Sequence, residues 1–132
     1  MWIIRSTTNL DEEAGGSLMF TIVAATMLSM AAAKADPVDA ARKTFRNCMI
    51  ELHNEQIKAK TAPADFTKVA ETGCTDTRTS YHDIVVKSER GYGSSAKDAE
   101  EYANEQIQEI VDGIVENFSE NSEKNATMFP EP

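Results

Sequence analysis

Apolar side chains recur every three or four residues along most of this chain, and the recurrence breaks at two short stretches. From residue 36 onward the pattern predicts three helical segments and no strand. Val38, Ala41, Phe45, Cys48 and Leu52 mark one face of the first, with Ala59 continuing the row and Met49, Ile50 and Ile57 widening it. Asp36 suits the cap and Pro37 the first helical position. The segment ends near Lys60, where cations complement a negative helix end. "TAPADF" then breaks the period, because Pro63 disfavours helix at Ala62 and is at home in the first turn of a new one. Phe66, Ala70, Cys74, Thr77, Tyr81, Ile84 and Ser88 follow at the same spacing, with Val69, Gly73 and Val85 beside them. The centre of this second segment, "GCTDTRTS", is poor in helix formers and could kink. "RGYGSS" ends it, Gly91 being suited to a left-handed helix end. Ser95 and Asp98 then come close to a capping box. The third segment has the cleanest stripe: Ala99, Ala103, Ile107, Ile110, Val111, Ile114 and Phe118.

The residues before this region read differently. Leu18 to Ala33 carry no charge and run into "KADP", with Ala33 and Ala35 at the small positions of a signal-cleavage site. The run is shorter than the roughly 20 residues of a spanning helix. Export with cleavage before Asp36 is expected. Arg5 is opposed by Asp11, Glu12 and Glu13, so either the leader is over-extended with its true start at Met19, or the segment is an uncleaved anchor. The chain thus divides into a signal peptide (1–35), a three-helix domain (36–119) and a polar tail (120–132). The tail, "ENSEKNATMFPEP", lacks period and ends in prolines, so it is expected to be disordered, although "MF" could dock.

Two cysteines occur, Cys48 and Cys74. Their midpoint falls in the "KTAPA" break. If the flanking segments fold back there as an antiparallel hairpin, residues i and 122 − i face each other, each cysteine about 20 Å from the tip. Both lie on the apolar stripe of their own segment. An exported chain with two cysteines is expected to bond them. Neither has the C-x-x-C setting of a redox pair. The same rule places Phe45 near Thr77 and Leu52 near Ala70.

Charge narrows the function. From Asp36 to Lys97 acidic and basic residues nearly cancel, 9 against 10, whereas Asp98 to Pro132 holds 10 acidic residues and one lysine. Such a balance argues against nucleic acid and against anionic membrane surfaces. Asp98, Glu101, Glu105, Glu109, Asp112 and Glu116 share one face of the third segment. That face is either solvated or meets a basic partner protein; it lacks the loop of a dedicated calcium site. His53 and His82 are too far apart in the hairpin to share a metal and are read as structural. No phosphate loop, zinc motif or nucleophile elbow occurs, so no catalytic residue, metal or cofactor is expected.

The motifs "FRNC" (Phe45 to Cys48), "KTAPADF" (Lys60 to Phe66), Cys74 and the Asp98 to Tyr102 stretch resemble a group of small exported bacterial helical proteins with one disulfide. The resemblance implies fold and location and carries no activity. The expected protein is all-α, a disulfide-stapled antiparallel hairpin with a third amphipathic helix laid across it. Its expected role is a non-enzymatic periplasmic or secreted interaction or accessory module. A small-ligand carrier or an enzyme with a pocket between the helices is the alternative.

Overall fold

Asp36 opens the first helix as expected: its side chain accepts a hydrogen bond from the Val38 N–H at 2.9 Å, and Pro37 takes the first position. A computed structural model describes residues 34–132. The apolar leader, and with it the signal-peptide or anchor reading, lies outside the described residues. Helix α1 spans Pro37–Lys58, α2 Pro63–Thr72, α3 Thr75–Gly91 and α4 Ala96–Lys124, with no strand among the described residues. The all-α class is as expected, and Cys48 and Cys74 are bonded with Cα atoms 6.0 Å apart.

The second segment corrects the three-helix expectation. It is two helices, α2 and α3, divided at Gly73 and Cys74. Cys74 therefore does not sit inside a helix. It is the residue before α3, in the left-handed region at φ 56°. Three causes meet at this break. Thr72, Gly73 and Thr75 are weak helix formers. Gly73 leaves room for Leu52, since a Cβ there would fall 2.4 Å from Leu52 Cδ2 and 3.0 Å from the Val69 carbonyl oxygen and would force Leu52 to shift. Arg78, one turn into α3, donates to the Ala70 and Gly73 carbonyls at 2.8 and 3.3 Å, satisfying acceptors that the end of α2 leaves open. The apolar period runs through the break unchanged, so the hydrophobic pattern does not reveal it.

The break also redirects the packing. α2 packs far more on α4 than on α1, whereas α1 packs on α3, and α4 touches all three other helices. The described contacts place Phe45 on the Tyr81 ring, with centroids 6.1 Å apart, and under the Arg78 guanidinium at 5.4 Å. They place Leu52 against Gly73. The start of α1 lines one groove with the end of α3, while Cys48, in the middle of α1, is bonded to Cys74 just before the start of α3. All seven residues of the predicted α4 stripe are buried. Phe66 of α2 stacks on Phe118 of α4 at 3.9 Å, in the middle of a core completed by Met49, Ile50 and Ile57.

The tail from residue 120 is also corrected. α4 continues to Lys124, where Asn125 turns the chain in the left-handed region at φ 51°. Residues 126–132 then lie along α1, tied by Asn54, Asn47, Arg42 and Arg46. Met128 packs against the core, while Phe129 stays 88% exposed. Side-chain to main-chain hydrogen bonds hold this segment, and a hydrophobic pattern carries no trace of them.

Candidate functional site

The acidic residues of α4 lie where the period places them. Asp98, Glu101, Glu105, Glu109, Asp112 and Glu116 are all exposed, on the side of the helix away from the buried stripe. Two have local partners: Lys97 reaches Glu101 at 3.4 Å, and the Gln108 amide donates to Asp112 at 2.8 Å. Beside this row, Glu100 meets His82 Nε2 at 3.0 Å and ties α4 to α3. Like charges at three- and four-residue spacing repel one another, so a cationic surface laid along the row would relieve that repulsion.

The histidines do not form one unit. His82 is paired with Asp83 and Glu100 at the α3–α4 surface. His53 is fully buried, its ring edge-on to Phe66 and to Phe118, with centroids at 6.1 and 5.3 Å. The side-chain nitrogen Nδ2 of Asn121, a donor only, lies 3.3 Å from Nε2, and Asn54 Oδ1 lies 3.0 Å from Nδ1. This arrangement puts the ring proton on Nδ1, which donates to Asn54, and leaves Nε2 to accept from Asn121. A buried imidazole with both nitrogens satisfied is a core element joining α1 to α4. Among the described residues no group of three or more His, Cys, Asp or Glu could hold a metal ion.

The sequence reading missed a polar cluster on α1. Asn54 Nδ2 donates to the Met128 carbonyl at 2.9 Å, and the Met128 N–H donates to Asn54 Oδ1 at 2.8 Å. Seven residues earlier, Asn47 Nδ2 donates to the Glu131 carbonyl at 3.0 Å and its Oδ1 accepts from the Glu131 N–H at 2.8 Å. Arg42 forks onto the Glu131 carboxylate at 3.2 and 3.0 Å, and Lys43 donates to the Pro132 carbonyl. The Arg42 bonds hold the Glu131 carboxyl below its usual range, while Glu131 and then Asp39 raise the Arg42 guanidinium above its own. Arg46 Nε approaches Glu131 Oε1 at 2.7 Å, yet the geometry is too bent for a hydrogen bond and the atom has no other partner. The signal that could have found this cluster is the Asn47–Asn54 spacing, two turns along one helix face.

A shallow groove of about 510 Å³ lies between the start of α1 and the end of α3, lined by Pro37, Val38, Ile84, Lys87 and Tyr92 among others. It carries one cation, Lys87, and one carboxylate, Asp36. No protein-family model, curated protein or solved structure matches the chain.

Proposed function

We propose that this chain is a small non-enzymatic helical protein working outside the cytoplasm, as an interaction or accessory module that meets a basic partner protein through the acidic face of α4. One observation carries the reading: six carboxylates in register on α4 are all exposed. The Cys48–Cys74 bridge supports an oxidising compartment. No helix among the described residues is long and apolar enough to cross a membrane, which is compatible with a free module once a leader is removed. In this reading the bridge pairs α1 with the α2–α3 segment as an antiparallel hairpin. The kinship with small exported bacterial helical proteins belongs to the same proposal.

The test uses the mature chain immobilised against extract of its own compartment, followed by association kinetics with whatever basic protein it retains. The E105Q/E109Q/D112N variant should slow association at low salt, because charges at an interface rim act mainly on the on-rate. The difference between variant and wild type should shrink as the Debye length falls below about 8 Å. Equal association rates at every salt concentration would leave the acidic row as a solubilising face.

A further inference from the structure

Asn47 and Asn54 present to residues 126–132 what a neighbouring β-strand would present: one donor and one acceptor, aimed at the main-chain groups of a single residue each. Seven residues of helix rise about 10.5 Å, and three residues of extended chain span about 10 Å. The two clamps therefore match residues 128 and 131 in register. Contacts of this kind read main chain and are indifferent to side-chain identity, as in strand-addition modes of peptide recognition. Side-chain reading falls on Glu131, through Arg42 and Arg46, and on Met128, which packs against the core. Phe129 contributes little, being 88% exposed. The resident segment also fits imperfectly, for Arg46 Nε is buried without a hydrogen-bond partner although it lies 2.7 Å from a Glu131 oxygen.

We propose that this face of α1 is a docking site for an extended acidic segment of a partner protein, and that residues 126–132 are its displaceable resident. The segment it fits has a carboxylate on the residue clamped by Asn47 and a flexible apolar side chain, such as that of Met128, on the residue clamped by Asn54. This surface is separate from the α4 acidic row and does not depend on it. The resident competes from within the chain at an effective concentration of about millimolar, so a ligand in trans meets a largely closed site.

The test keeps the full chain and releases the resident. M128P removes the N–H that Asn54 accepts, and E131K sets a cation against Arg42 and Arg46; E131K alone serves where the proline variant folds poorly. The probe is a fluorescein-labelled, end-blocked peptide, Ala-Thr-Met-Phe-Pro-Glu-Pro. It should bind the released variant at least tenfold more tightly than wild type. Adding N47A/N54A, or replacing Glu by Lys in the peptide, should each weaken binding at least tenfold with helix content unchanged. Absence of binding to the released variant, or binding indifferent to N47A/N54A, would overturn the proposal. So would continued protection of the residue-131 amide in the released variants, since the segment would then not be displaceable. A wild-type dimer that disappears in the released variant would replace the partner protein with a second copy of this chain.

Discussion

Asn54 holds Met128 by both main-chain groups, at 2.8 and 2.9 Å, while its oxygen also accepts a hydrogen bond from the Nδ1 N–H of the buried His53. One amide thus joins the core to the closing segment. Replacing Asn54 with Ala orphans the imidazole N–H and both groups of Met128. We expect a loss of about 1–3 kcal/mol and at least tenfold faster exchange of the Met128 amide. Unchanged exchange at Met128 would show that the clamp is not what holds the segment.

The Glu131 carboxyl predicts an acid-sensitive attachment. Its folded-state value lies below the ordinary 4.5, chiefly through the Arg42 hydrogen bonds. A depressed carboxylate adds stability above its unfolded value, and that stability disappears as pH falls through the depressed folded value. Amide protection at residues 128 and 131 should therefore persist at neutral pH and fall away below about 4.5. The E131Q variant should lose most of this dependence, and hydrogen exchange at several pH values reads the difference.

Gly73 should tolerate no side chain while Leu52 is in place. Its φ of −72° suits any residue, so the obstacle is contact with Leu52 Cδ2 and the Val69 carbonyl. G73A should cost about 1–2 kcal/mol by overpacking. In the L52A background that cost should shrink, giving a coupling energy above about 0.5 kcal/mol in a double-mutant cycle of denaturant midpoints.

Removing the bridge should cost more. It links residues 26 apart, and the chain-entropy model assigns such a loop about 3–4 kcal/mol. For a domain whose total stability is about 5–10 kcal/mol, C48A/C74A should remain helical but melt at a clearly lower temperature. A melting temperature within a degree or two of wild type would contradict this.

How much of this was legible in the sequence depends on what kind of contact holds each part. The α4 stripe reads directly because Ala99 to Phe118 face one apolar core and every buried position is hydrophobic. The α1 stripe is read with a rotation. Phe45 is buried as expected, but Val38, Ala41 and Leu52 are only partly so, and the centre lies at Met49, Ile50, His53 and Ile57. α1 packs on α3 with one flank and on α4 with the other, and a polar His53 at the centre hides the wider face. The α2–α3 break is absent from the apolar pattern, because Phe66, Ala70, Tyr81 and Val85 keep their period across it, and only the weak helix formers of "GCTDTRTS" mark its place. The docked closing segment leaves little apolar signal beyond "MF", of which Met128 packs on the core, since two asparagines and a carboxylate do most of the holding.

Export and the stapled fold meet in one measurement: the intact mass of the native protein recovered from outside the cytoplasm, taken before and after alkylation in denaturant without reductant. The account predicts a chain beginning within two residues of Asp36 that takes up no alkylating group. A mass that retains Leu18 to Ala33, or a chain alkylated at Cys48 and Cys74, would contradict it.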